Sequence, residues 1–165
     1  MLFRSVRSWA ASLASHATCN PEQSAFCAKV ADRVANELRE ARGDEATSEP
    51  LRWVLHGGPG TGKSYTLKLL RRDLFEGVLG WQHGVDFQIV SFQAVMAELL
   101  DGDTIHHALG LDWGGDRTRN CLRSLEKAQE TLQWRWLILD EFSMVSAELL
   151  AQLELRCREL MSCGT

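Results

Sequence analysis

Gly57-Gly58-Pro59-Gly60-Thr61-Gly62-Lys63-Ser64 matches the pattern G-x-x-x-x-G-K-S, and this stretch decides the fold. Glycines let the backbone curl so tightly that successive N–H groups can point at one phosphate chain. Lys63 would add a positive charge for the β- and γ-phosphates, and the Ser64 hydroxyl would be an oxygen ligand for Mg²⁺. The stretch therefore predicts a P-loop that binds a nucleoside triphosphate such as ATP together with Mg²⁺.

The segments on either side of this loop predict a strand and a helix. Leu51-Arg52-Trp53-Val54-Leu55 has the apolar character of a short buried strand. Residues 64–70 begin a helix whose dipole favours an anion, so Tyr65 joins the expected nucleotide-binding residues, and we expect the helix to end at Gly77. A glycine-rich turn that matches by chance is the weaker interpretation, because strand, loop and helix follow one another in register.

The composition of the 165-residue chain indicates one domain with an apolar core. The net charge of -4 argues against a strongly basic DNA-binding surface, although it leaves room for a local basic patch. The five cysteines form no C-x-x-C pair, which is typical of reduced thiols inside a cell, with the nucleus and the mitochondrion both open. No apolar run is long enough to span a membrane.

The first 19 residues differ from the rest in composition. Between Met1 and Pro21 there are two arginines, four serines and no acidic residue. A mitochondrial targeting segment has this bias, and so has an ordinary polar lead-in to the first helix, which we favour because the stretch is short. We expect residues 1–19 to be a lead-in, targeting or disordered, and residues 20–165 to form the domain.

Strands and helices are predicted to alternate after this lead-in. Asn20-Pro21-Glu22-Gln23 has the residues of a helix start, with Asn20 as the cap and Gln23 reaching back in a capping box, and this helix should run to about Arg42. The other predicted strands are 87–91 and 134–139, and the other helices are 94–100, 122–133 and 146–161, with a short helix or turn at 104–109. The predicted loops are 43–50, 80–84, 101–103 and 112–120. The alternation predicts an α/β fold with parallel βαβ units.

Two acids, Asp140 and Glu141, stand at the carboxyl end of the predicted strand 134–139. Open α/β sheets place their ligand sites at that end. Asp140 would lie in the shell of the Mg²⁺, and Glu141 would orient or deprotonate the attacking water. Two acids can also simply end a strand at the surface, but with a P-loop upstream a nucleoside-triphosphate hydrolase is the leading hypothesis.

Three further stretches narrow the class of protein. Residues 20–23, the stretch Asp103-Thr104-Ile105-His106-His107-Ala108-Leu109-Gly110 and the stretch Asp140-Glu141-Phe142-Ser143-Met144-Val145 resemble motifs of the Pif/RecD-like group of superfamily-one DNA helicases. Together with the P-loop, these motifs cover the chain from Asn20 onward. The resemblance implies a RecA-like, three-layer lobe with a mostly parallel central sheet, preceded by an N-terminal helix.

The resemblance also implies residue roles. By this resemblance Gln23 recognises the adenine, in addition to capping the helix. The resemblance also implies that the segment Thr104-Ile105-His106 lies along single-stranded DNA. Since His106 and His107 do not share a helix face, a metal pair is not expected. The group comprises ATP-dependent helicases, of the 5'-to-3' type, in DNA repair, recombination or replication.

The chain departs from this group in two places. Ser91-Phe92-Gln93-Ala94-Val95-Met96-Ala97 stands where a Thr-Gly usually precedes two alanines, and Phe92 is either a base-stacking or a core residue. The Gly-Asp-x-x-Gln motif, second lobe and arginine finger of the group do not occur before Thr165. We therefore expect weak binding of single-stranded DNA, and activity that depends on a second lobe or a partner chain.

Two other functions stay open on the sequence. A ring-forming remodelling ATPase shares the Gly-Pro-Gly-Thr-Gly-Lys-Ser loop, and a non-catalytic nucleotide-binding module would need no second lobe. The segments Thr104-Ile105-His106 and Ser143-Met144 favour the helicase.

Overall fold

The computed structural model describes residues 2–13, 19–44, 51–111, 131 and 133–162. The chain divides into two compact units, Met1–Gly80 and Trp81–Thr165. In its described part the first unit contains helices and no strand, and the second unit contains a parallel sheet. The predicted loop at 112–120 and most of the predicted helix at 122–133 lie outside the described residues.

Two helices form the body of the first unit. Helix α1 (Leu2–Leu13) packs along α2 (Pro21–Glu40). On α2 the buried residues are Cys27, Val30, Ala31, Val34 and Ala35, which recur at helical spacing and face the core. The sequence prediction of a lead-in at 1–19 missed α1, although Val6, Ala10 and Leu13 have the same spacing and Val6 and Leu13 are buried.

The start of α2 confirms the predicted capping box. The Asn20 side chain accepts a hydrogen bond from the Gln23 N–H at 2.8 Å, and the Gln23 Oε1 accepts one from the Asn20 N–H at 3.1 Å. Pro21 takes the first helical position, where a missing N–H costs nothing. Two backbone donors that a helix start leaves without partners are thereby satisfied, which fixes where α2 begins.

The predicted strand at 51–55 is wrong, because residues 51–56 form no strand pairing. Instead, the Trp53 ring lies 6.2 Å from the Phe26 ring of α2, and the Lys29 Nζ lies 5.0 Å from the centre of the Trp53 ring. These aromatic and cation–π contacts give Trp53 partners outside a sheet. Trp53 remains 48% exposed and Val54 72% exposed, values that a buried strand does not have.

The helix after the P-loop continues further than predicted. Helix α3 (Lys63–Leu69) passes directly into a π-helical segment (Leu70–Val78), so the chain stays helical through Gly77. The Leu79 N–H bonds the Leu74 carbonyl at 3.0 Å, which is the five-residue spacing of a π turn. A Cβ at Gly77 would lie 2.9 Å from the Arg72 carbonyl oxygen, so here glycine permits the wider turn rather than ending the helix.

The sheet of the second unit is parallel, as predicted, in its three described strands. They are β1 (Phe87–Ser91), β2 (Asp103–Thr104) and β3 (Trp136–Asp140), in the order β2-β1-β3. The central strand β1 is buried along its whole length, and its predicted bounds are confirmed. In the register, Phe87 pairs with Trp136 and Ser91 pairs with Asp140, so the carboxyl ends of β1 and β3 are level.

Helices α4 (Ala94–Leu99), α5 (Ile105–Leu109) and α6 (Ala147–Ser162) complete the second unit. Its main cluster joins one face of β1 to α5 and α6 and consists of Val90, Ile105, Ala108, Leu109, Leu149 and Leu153. The Ser146 hydroxyl accepts the Leu149 N–H at 3.1 Å at the start of α6. These helices confirm the predictions at 94–100, 104–109 and 146–161 to within one or two residues.

Three cysteines are free thiols in the described part of the chain: Cys19, Cys27 and Cys157. Burial raises the pKa of the Cys27 thiol to about 12, with a smaller contribution from Cys19. Cys27 is therefore a protonated, apolar core residue rather than a nucleophile. Among the described helices, none combines the length and hydropathy needed to cross a membrane.

Val6→Ala tests whether α1 is part of the folded unit. The side chain is fully buried, so removing its methyl groups should lower the free energy of unfolding by about 1–3 kcal/mol. Urea denaturation of the whole chain measures this loss. Ser8→Ala, at an exposed position of the same helix, is the control and should change stability by less than about 0.5 kcal/mol. Equal midpoints for Val6→Ala and the parent would show that α1 does not contribute.

Candidate functional site

Two glycines give the P-loop its shape. Gly60 has φ +76° and Gly62 has φ +83°, which is the left-handed region that L side chains rarely adopt. Gly57 is needed for a different reason, because a Cβ there would lie 2.6 Å from the Thr61 hydroxyl. These positions explain why glycine recurs in residues 57–64.

The loop is held by its own hydrogen bonds. The Thr61 hydroxyl donates to the Gly58 carbonyl at 2.9 Å, and the Lys63 Nζ donates to the Gly57 and Gly58 carbonyls at 2.8 and 3.1 Å. The lysine ammonium therefore lies against the loop, where a phosphate would compete with two carbonyls for its three N–H donors. The contact of Lys63 with a phosphate stays a prediction.

Helix α3 begins at the end of this loop. The Thr66 N–H and hydroxyl both donate to the Gly62 carbonyl, at 2.9 and 3.0 Å, and this closes the first turn. The N–H groups of Lys63, Ser64 and Tyr65 precede that turn and have no acceptor within the helix. Both the orphan donors and the helix dipole favour an anion here. Pro59, Ser64 and Tyr65 are exposed, so this face of the loop is accessible.

Gln23 connects α2 to the P-loop, a contact that the sequence prediction missed. Its Oε1 caps α2, and its Nε2 donates to the Thr61 carbonyl at 3.1 Å. A Cβ on Gly62 would collide with that Nε2. Glutamine rather than glutamate at this capping position was the available signal, because only the amide has a donor left over. The reading of adenine by Gln23 stays a prediction.

The two acids lie in the second unit, at the end of β3. Asp140 is the last residue of the strand and is 9% exposed. Glu141 is half-buried and has φ +52°, so the chain turns sharply out of the sheet there and enters the short 3-10 turn Phe142–Met144. The two carboxylates therefore have different surroundings, as two groups with different roles require.

The carboxyl edge of the same sheet also carries the segment Thr104-Ile105-His106. The Thr104 hydroxyl accepts the His107 N–H at 3.2 Å at the start of α5, and Ile105 is buried. The half-buried His106 ring lies 6.4 Å from the Phe92 ring, which itself packs partly against the core cluster. His107 is exposed and its Nδ1 lies 2.9 Å from an Asp103 carboxylate oxygen. The two histidines thus point to different surroundings, as predicted.

Binding of a nucleotide-associated metal ion would rest on few protein atoms. Within the described residues, no group of three or more His, Cys, Asp or Glu side chains could hold a metal ion. Mg²⁺ that accompanies a nucleotide needs no such cage, because one or two protein oxygens, the phosphates and water complete its octahedron. The Ser64 hydroxyl of the first unit and the Asp140 carboxylate of the second unit are each an oxygen donor of the kind that fits this ion.

A parallel α/β unit and a glycine-rich phosphate loop define a P-loop nucleotide-binding protein as the class. The model of the AAA domain family matches residues 39–162, which is well over half of the chain. The chain therefore belongs to the AAA domain family, as a P-loop NTPase-like domain of the kind found in UvrD-, Rep- and RecD-type helicases. No curated protein and no solved structure shows a significant match. Such a domain is a nucleotide-binding ATPase domain, typically Mg²⁺-dependent.

Gly62→Ala and Gly60→Ala test the contact between Gln23 and the loop. Both variants force alanine into a left-handed conformation, at a cost of about 1–2 kcal/mol. Only Gly62→Ala also displaces the Gln23 amide, so it should lose about 1 kcal/mol more in urea denaturation.

The control is the same pair of variants in a Gln23→Ala background. In that background both glycine substitutions should lower the free energy of unfolding by the same amount. The loss of the Gln23 cap affects both variants equally and therefore cancels in the comparison. A difference that persists without the Gln23 amide would contradict this account of the loop.

Proposed function

We propose that this chain is the ATP-binding lobe of a DNA helicase of the Pif/RecD-like group of superfamily one. The observation that carries the proposal is the carboxyl edge of one parallel sheet. Strands β1, β2 and β3 end there with Ser91, Thr104 and Asp140. The helicase-type segments Thr104-Ile105-His106 and Asp140-Glu141 thus share the edge at which open α/β sheets bind ligands.

The residues divide the chemistry between them. The loop at 57–64 binds the phosphates through backbone N–H groups, and Lys63 leaves its loop carbonyls to neutralise the γ-phosphate. Ser64 and Asp140 would hold Mg²⁺, which would supply positive charge against the phosphates. Glu141 orients the attacking water and accepts its proton. Gln23 holds the loop to α2, and in this proposal it also reads the adenine.

DNA would pass along the edge that carries Phe92 and His106. Their rings lie 6.4 Å apart, and an aromatic face at this edge can stack a base. Because the net charge is -4, electrostatic contacts with the DNA phosphates contribute little affinity, so this chain binds single-stranded DNA weakly. A second helicase lobe or a partner chain supplies the arginine finger and the relative motion that translocation needs.

A ring-forming remodelling ATPase and a non-catalytic nucleotide-binding module are the alternatives. The first would use the same P-loop but would not respond to single-stranded DNA. The second would bind ATP without turnover. Hydrolysis and its response to DNA therefore separate the three functions.

Lys63→Ala should lose ATP binding, whereas Glu141→Gln should keep ATP binding and lose only hydrolysis. Lys63→Ala removes the charge that meets the phosphates and should abolish binding of Mg²⁺·ATP in calorimetry. Glu141→Gln keeps the shape but loses the base, so it should bind ATP like the parent and hydrolyse about 100-fold or more slowly. Equal ATP affinity for Lys63→Ala and the parent, or unchanged turnover in Glu141→Gln, would remove that residue from the mechanism.

Single-stranded DNA should bind this chain weakly and stimulate its slow ATP hydrolysis. Anisotropy of a labelled oligothymidylate should show an affinity that falls about sevenfold between about 50 and 200 mM salt, if about two phosphates are contacted. Phe92→Leu keeps an apolar side chain for the core but loses the stacking face, so it should weaken DNA binding about fivefold or more without changing ATP affinity. A rate of ATP hydrolysis that single-stranded DNA does not change would favour the remodelling ATPase.

A further inference from the structure

Ser91 has a buried hydroxyl without a partner. It is the last residue of β1 and is fully buried. Its Oγ is one of two buried side-chain atoms in the described part of the chain that make no hydrogen bond, and the other is Gln88 Oε1. Buried hydroxyls are normally bonded, because an unbonded one forfeits its interactions with water. The exception at Ser91 therefore calls for a ligand or a state in which the hydroxyl is bonded.

The register of the sheet places this hydroxyl beside Asp140. Ser91 pairs directly with Asp140 across the parallel β1–β3 ladder. Paired residues on neighbouring strands put their side chains on the same face of the sheet, and the strands themselves lie about 4.8 Å apart. Val90 belongs to the core cluster on the opposite face, and its partner Leu139 packs against that cluster, which fixes the side on which Ser91 and Asp140 lie.

We propose that Ser91 is a positioning residue for Asp140, whose carboxylate accepts a hydrogen bond from the Ser91 hydroxyl when Mg²⁺ and nucleotide are bound. The inference rests on the proposed function, since it assumes that Asp140 serves the metal. A serine side chain reaches a different staggered rotamer without moving the backbone, so its hydroxyl can turn toward the carboxylate. A carboxylate held through one oxygen presents the other to the metal shell in a fixed direction.

The chemistry of the pair supports this assignment. The hydroxyl has one donor, the ionised carboxylate has only acceptors, and hydrogen bonds to a charged partner are stronger than neutral ones. The P-loop pattern and the acidic pair do not include Ser91. It falls in the stretch at 91–97 where the chain departs from the helicase group, so no motif assigned it a role.

Binding of Mn²⁺ in the presence of ADP tests the proposal, with the free ion followed by electron paramagnetic resonance. Mn²⁺ takes the same oxygen ligands as Mg²⁺. Ser91→Ala should weaken Mn²⁺ binding about 10-fold, as loss of a residue that supports a ligand does. Binding of ADP in EDTA should stay at the parent's value. The melting temperature of the metal-free protein should be unchanged or higher, because a hydroxyl without a partner is removed.

Two further variants separate positioning from a general disturbance of the strand. Ser91→Thr keeps the hydroxyl and should retain most of the Mn²⁺ affinity. Gln88→Met removes the other buried oxygen of β1 that makes no hydrogen bond, together with the bond from Gln88 Nε2 to Asp103. Gln88 lies away from the carboxyl end of β1, so this variant should bind Mn²⁺ like the parent. The proposed role of Ser91 is overturned if Ser91→Ala binds Mn²⁺ like the parent or if Gln88→Met loses as much Mn²⁺ affinity as Ser91→Ala. Either result leaves the proposed function standing. A parent chain that binds neither ADP nor Mn²⁺·ADP overturns the proposed function as well.

Discussion

The parallel pairing of β1 with β3 is the constraint on which the second unit depends. Parallel strands cannot be joined by a tight turn, so the chain must leave β1, pass through α4, β2 and α5, and return much later as β3. The register then fixes which residues end side by side, and Ser91 meets Asp140 there. Because all three described strands run the same way, the residues that follow them collect at one edge. A shift of one residue would send Asp140 to the face that packs against α5 and α6.

The P-loop depends on a different constraint, the left-handed backbone at Gly60 and Gly62. That conformation lets the loop fold back over itself, so that its carbonyls bind Lys63 and its Thr61 carbonyl faces Gln23. The loop is thereby shaped by contacts within the first unit, and little ordering remains to be done when an anion binds. Preorganisation of this kind lowers the entropic cost of binding.

Local signals predicted most of what was correct. The cap at Asn20, the apolar run at Phe87–Ser91 and the position of the two acids at the carboxyl end of β3 are each encoded within a few residues. The errors arose where distant residues decide the outcome. The segment 51–55 has the composition of a strand, but its Trp53 contacts Phe26 and Lys29 on α2, and the segment pairs with no strand. Gly77 looks like a helix end, yet the wider turn around Arg72 needs it. Gln23 and Thr61 are 38 positions apart, so the glutamine at the cap shows that one donor is left over but not which carbonyl it bonds.

The conformations of Asp140 and Glu141 explain how adjacent carboxylates can act differently. Asp140 is still part of the ladder, so its backbone is fixed by β1 and its side chain is nearly buried. Glu141 has left the ladder in a left-handed conformation, which costs a residue other than glycine about 1–2 kcal/mol. The cost implies that the surroundings impose the turn, and strain of this kind concentrates at functional sites. The sharp turn points successive side chains in different directions. In the proposed function, the rigid Asp140 carboxylate would serve the metal, and the Glu141 carboxylate would meet the attacking water.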